Sequence, residues 1–164
     1  MISPDYQRIL HICDYCERIE NTVLRYGRNY DTFITDSDYM DSVSMKIMQI
    51  GELVGGISDE FKENTKGRMQ WGAIRGMRNL FAHAYAGMDK EVIWDVVTQD
   101  IPDLLQFCTD TLIQEGIIPE SESFVTSTGV KSSVIAAISK DREERRKAPP
   151  SLHKKPNSND DPEL

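Results

Sequence analysis

The sequence predicts an all-α bundle of four or five helices followed by a C-terminal extension. Three observations carry this. Apolar residues recur at spacings of three and four over several long stretches, the repeat of one helix face. No stretch combines strand-like alternation with turn signals. Beyond Gly116 the chain becomes Ser/Thr-rich and then Pro-rich and polar, which ends the helical pattern. A helical domain is therefore expected at 1–118, and a linker, a short helix and a disordered tail at 119–164.

The first helix should open at Ser3-Pro4, a cap followed by a proline at the first helical position. Its stripe is Ile9, Ile12, Cys16, Ile19, Val23 and Tyr26, and Gly27 with RNYDT should end it. A second helix should start near Thr35 to Ser37, where TDSD offers caps and first-turn carboxylates. Met40, Val43, Ile47, Ile50, Val54 and Ile57 form its stripe, weakened at the last turn by Gly55-Gly56. These two should pair as an antiparallel hairpin. The polar SDEFKENTKGR separates them from a third helix at about 70–85. A fourth, capped by Asp89, carries Ile93, Val97, Ile101, Leu104, Cys108 and Leu112. Pro102 should kink or divide it near Asp100-Ile101. In the extension, VKSSVIAAISKDREERRK can form a short helix.

A chain of 164 residues suits one compact domain. No run approaches the roughly 18 apolar residues of a membrane span. MISPDYQRIL lacks the basic-then-apolar plan of an export signal, so the cytoplasm is expected. His11, Cys13 and Cys16 in HICDYC resemble half a zinc site, but no second ligand pair follows. Thiols packed in a helix are the simpler reading, with no metal or cofactor. The net charge of −8 argues against a surface that coats nucleic acid. Its distribution is uneven: residues 62–78 hold five cations and one acid, leading into Arg78. That run, with Lys66, Arg68 and Arg75, is a candidate anion surface or simply a solvated face.

The stretch RNLFAHAY at 78–85 concentrates Arg78, Asn79, His83 and Tyr85. On a wheel with Arg78 as origin, Ile74, Met77, Leu80, Phe81 and Ala84 fall within about 200–320° at about 100° per residue. Arg75, Arg78, Asn79, Ala82 and His83 fall within about 0–140°, with Tyr85 at the border. The polar set should therefore turn away from the packing side. His83 and Asn79 are four apart and within reach of each other. An imidazole that titrates near neutrality is a general acid or base, and an arginine beside it can grip a phosphate. With no acidic cluster to hold Mg²⁺, the phosphoryl reaction that fits is RNA cleavage by the ribose 2′-OH. Taken alone, the same pair also fits an ordinary solvated helix face.

The residues Arg78-Asn-Leu-Phe-Ala-His83-Ala-Tyr85 resemble the R-x4-H-x-Y motif of the HepT-like toxins, members of the HEPN superfamily of helical ribonucleases and nucleotide-binding domains. Gly51-Glu52 after Ile50, Trp71-x-x-Ile74-x-x-Met77-Arg78-Asn79, and Ile93-Trp94 with Ile101-Pro102 and Leu104 extend the resemblance over about 5–115. It implies a HEPN-like bundle and a metal-independent ribonuclease in which Arg78 and His83 are catalytic. Asn79 would support them, and Glu52 would orient Arg78 from the neighbouring helix. It further implies a homodimer whose motif helices share an RNA cleft, and a partner, an MntA-like nucleotidyltransferase antitoxin, that attaches AMP to Tyr85. The extension is longer than in typical members, so its role is not carried over. The alternative is a non-catalytic HEPN module that binds a nucleotide or regulates a nucleotidyltransferase. A purely structural dimerisation bundle leaves the polar cluster unused.

Overall fold

The computed structural model describes residues 2–83, 87 and 89–120, with Leu80, Ala82 and His83 described by backbone alone. The expected short helix and tail of the extension lie outside these residues, as does Tyr85. Among the described residues the chain is helical with no strand. No helix there is long and apolar enough to cross a membrane.

Helix α1 spans Pro4–Arg25, with Ser3 accepting a hydrogen bond from the Tyr6 amide. Five residues of its expected stripe, Ile9, Ile12, Cys16, Ile19 and Val23, are buried and joined by Cys13, while Tyr26, just past the helix end, is half-buried. Gly27 (φ 79°) and Arg28 (φ 48°) then reverse the chain through the left-handed region. Helix α3, Ser37–Gly55, starts where the caps indicated; Asp36 accepts from the Tyr39 amide at 3.0 Å. Asp5, near the start of α1, accepts from the Ser58 amide (2.9 Å) and hydroxyl (2.6 Å) just beyond α3. At the other end, Tyr26 stacks on Tyr39 at 4.2 Å. The two helices are thus the expected antiparallel hairpin.

Two short helices appear where polar connections were expected. Helix α2, Tyr30–Thr35, is capped by Asn29 on the Thr32 amide (3.0 Å). It buries Phe33 edge-on to Tyr39, with ring centroids 5.0 Å apart. Helix α4, Asp59–Thr65, is capped by Ser58 and holds Phe61 edge-on to Tyr6 and Trp71. Such short helices are marginal by propensity, and each rests on its cap and one aromatic anchor.

Helix α5 is Trp71–His83, and α6 is Lys90–Asp95. A π-helical turn, Val96–Asp100, leads directly into α7, Ile101–Gln114. The division falls where Pro102 placed it. Pro102 has no amide hydrogen for the carbonyl of Thr98, four residues back. Arg28 supplies one, its Nη2 donating to Thr98 at 3.2 Å. Helix α7 runs against α1, where Cys13 Sγ lies 3.7 Å from Thr109 Oγ1.

Cys13, Cys16 and Cys108 are buried free thiols, and burial pushes those of Cys16 and Cys108 well above the ordinary range. His11 on the same helix faces solvent, so the HICDYC segment is turned both ways.

Tyr39 is fully buried, and its hydroxyl has no hydrogen-bond partner among the described residues. Burial pushes its pKa up to about 12, with Glu20 adding to the shift and Arg28 opposing it. Folding therefore favours the protonated phenol. That contribution is intact below pH 10 and is lost as pH rises from 10 towards about 12, where the unfolded chain has fewer protons bound. Tyr39→Phe should keep or raise the melting temperature at neutral pH and flatten its fall over that alkaline window. A steeper alkaline fall in thermal denaturation of the variant would contradict this.

Candidate active site

Helix α5 lies antiparallel along α3, and one glycine sets how close they come. A Cβ built on Gly51 would fall on the Cβ of Arg78, with Arg78 Cγ at 3.0 Å and Cα at 3.4 Å. Only the missing side chain of Gly51 lets the stem of Arg78 lie flat against α3. One turn further, Gly55 faces Arg75, whose Nε would be 3.9 Å from an added Cβ. The core side of α5 is Trp71, Ala73, Ile74, Met77 and Phe81, all buried.

This refines the helical-wheel expectation. Arg78 is not displayed away from the packing side; it sits at the α3–α5 seam, its stem packed and its side chain 41% exposed. The guanidinium is held on two sides. Nη2 pairs with the carboxylate of Glu52, the residue after Gly51, and Nη1 donates to Asn79 Oδ1 at 3.2 Å. Among the described residues two of the five N–H donors of this arginine are thus engaged, which leaves up to three that can face a ligand. A fork tethered in this way loses less rotamer freedom when it closes on a phosphate.

His83 is the last residue of α5, about 7.5 Å of helical rise beyond Arg78. Its side chain and all of Tyr85 lie outside the described residues. Two other cations of the basic run are committed locally. Lys66 pairs with Glu63, and the Arg68 guanidinium lies 5.0 Å over the Phe107 ring. Arg75 stays exposed one turn before Arg78. Gly51 is the packing position under the candidate site that chemical typing of side chains overlooks. A glycine amid strong helix formers costs about 1 kcal/mol relative to alanine, which is the mark of a close approach. Among the described residues no group of three His, Cys, Asp or Glu is arranged to hold a metal.

The protein is thus of the class of all-α bundles with a tethered guanidinium at the seam of two helices, one of which ends at a histidine. The chain belongs to the family described as ribonuclease HepT-like, whose model matches residues 12–111. It is 27% identical over 113 residues to a protein of Caldanaerobacter subterraneus subsp. tengcongensis named "Putative RNase TTE0752", covering 68% of this chain and 95% of that one. It is 32% identical over 75 residues to "Probable ribonuclease HepT" of Thermococcus cleftensis, covering 46% and 67% of the two chains. No solved structure gives a significant match.

Proposed function

We propose that the chain is a metal-independent endoribonuclease whose catalytic pair is Arg78 and His83, working as the toxin of a toxin–antitoxin pair. The observation that carries this is the tethered, solvent-reaching guanidinium of Arg78 on a helix that ends at His83, in a chain of the HepT-like ribonuclease family. In this reading a phosphodiester docks on the free donors of Arg78. His83 takes the proton of the ribose 2′-OH, and the 2′-oxygen attacks phosphorus. The P–O5′ bond breaks, and the leaving oxygen receives a proton from the acid form of histidine. Arg78 offsets the charge that builds on the phosphorane oxygens. A homodimer would bring a second Arg78–His83 pair to the same cleft, so that one imidazole acts as base and the other as acid.

Glu52 and Asn79 position Arg78, and Arg75 extends the anion surface by one turn. Tyr85, two residues beyond His83, is the switch: AMP placed on its hydroxyl by an MntA-like nucleotidyltransferase would bring a phosphate to the anion site and repel RNA. Full-length protein should cleave RNA in EDTA. After co-expression with the nucleotidyltransferase, mass spectrometry should find one added AMP on Tyr85, with cleavage lost. Cleavage that requires added divalent metal rejects the mechanism; modification confined to other residues rejects the switch.

A further inference from the structure

A second cationic site faces solvent on the other flank of α3, and the basic run at 62–78 contributes nothing to it. Three contacts fix the register of α1 against α3: Asp5 bonds Ser58, Arg8 lies beside Gly56, and Tyr26 stacks on Tyr39. Carried along the antiparallel pair, this register brings Arg18 level with Lys46 and Thr22 level with Ser42. Arg25 lies two turns beyond Arg18 on the same face of α1.

Lys46 is half-buried, and its ammonium donates to the Ser42 hydroxyl (2.6 Å) and carbonyl (3.2 Å). No carboxylate among the described residues pairs with it. Burial lowers its pKa, and the charges of Arg18 and Arg25 push the same way, in keeping with the register that sets them beside it. Arg18 is 60% exposed and shares its charge with Asp14 at 3.0 Å. Asp14 already offsets Arg18, so the charge left for an incoming anion is that of Lys46 and Arg25, beside the hydroxyl side chains of Ser42 and Thr22.

Among the described residues, the candidate active site and these cations are joined across the exposed face of α3. Counted round α3 from Lys46, Ser42, Gln49, Met45 and Glu52 follow at about 320, 300, 260 and 240°, at about 100° per residue. Gln49, Met45 and Glu52 are exposed; Met45 is the most exposed apolar side chain of α3, at 55%. The ridge between the two sites is one helix wide, about 10 Å. It carries an apolar, polarizable side chain on which a base can rest.

We infer that a single RNA strand whose scissile phosphate sits on Arg78 crosses α3 over Met45 and lays its neighbouring phosphates in the groove of Arg18, Arg25 and Lys46. This rests on the ribonuclease reading above and adds to it a binding track outside the motif helix. Cations at such a track bind backbone and not bases, so affinity should be salt-dependent and sequence-tolerant.

The test compares the full-length protein with Arg18→Gln/Arg25→Gln/Lys46→Gln on two substrates. One is a dinucleotide that spans only the scissile phosphate; the other is a strand several nucleotides longer. On the longer strand KM should rise about tenfold or more with kcat unchanged, and the slope of log affinity against log salt should become shallower by about two, from 0.7 per phosphate released. Dinucleotide cleavage should not change. Arg18→Lys/Arg25→Lys, which keeps both charges, should behave as wild type. Unchanged KM and salt slope on the longer strand overturn the track, and so does an equal loss on both substrates. Binding of a 2′-O-methyl strand, followed by fluorescence anisotropy, reads the track without cleavage. If neither substrate is cut, the ribonuclease reading fails, yet the track is supported by wild-type binding that the triple variant weakens. It is refuted by equal binding or by none. A triple variant that binds RNA normally but no longer holds the nucleotidyltransferase assigns the groove to a protein and also overturns the track.

Discussion

His83→Ala is expected to lower the rate of RNA cleavage in EDTA by about 10²–10⁴, the usual worth of a positioned general acid or base. The melting temperature should stay close to that of wild type, because the residue is the last of α5 and a change there leaves the helix interior intact. Arg78→Ala should cost as much or more. Arg78→Lys should recover only part, since an ammonium keeps the charge but cannot share itself between Glu52, Asn79 and a phosphate as a planar fork does. Time courses of RNA cleavage beside circular-dichroism melts separate chemistry from folding. A His83→Ala protein as active as wild type leaves the imidazole with no part in the reaction.

The second large effect is expected at Gly51. In an ordinary helix interior, glycine to alanine stabilises by about 1 kcal/mol. Here the new methyl meets the Cβ and Cα of Arg78, which cannot swing aside as a side-chain tip can. Helices α3 and α5 must part, and overpacking of this kind costs about 1–3 kcal/mol. Gly51→Ala should therefore melt several degrees lower, at about 2–8 °C per kcal/mol for a domain of this size. Cleavage should fall by about a hundredfold, the scale associated with a displacement of about 1 Å at a reacting group. Gly72→Ala is the matched control: it lies on the same helix pair and an added Cβ there meets nothing within 4 Å. If both variants melt and cleave alike, the seat under Arg78 has no functional weight.

The long helices were legible in the sequence because each one buries a single stripe, and a three-four repeat leaves little doubt about which side is inside. The stop at Pro102 was legible for a covalent reason. The short helices α2 and α4 were not. Their sequences, YDTFIT and DEFKENT, are too short and polar for periodicity to speak. The usable signals were Asn29 before Phe33 and Ser58 before two acids, a cap followed by an aromatic anchor. At the site, Arg78, Asn79 and His83 were legible as chemical types on one helix, and Glu52 through the resemblance. The seating of Arg78 on Gly51 was not, because a wheel describes one helix and the contact belongs to two. The groove of Arg18, Arg25 and Lys46 was hidden for the same reason: its cations belong to two helices whose register only the packed structure supplies.

The wide turn at Val96–Asp100 also sets a phase. Ile93, Val97, Ile101, Leu104, Cys108 and Leu112 are all buried. Yet their spacings of four, four, three, four and four would carry them about 100° off one line along a straight α-helix. The turn absorbs the surplus residue, much as a leap day realigns a calendar. Removing one residue there would leave Ile93 facing inward and swing Leu104, Cys108 and Leu112 round by about 100°. The length of that turn is therefore as much a part of the interior as the side chains it aligns.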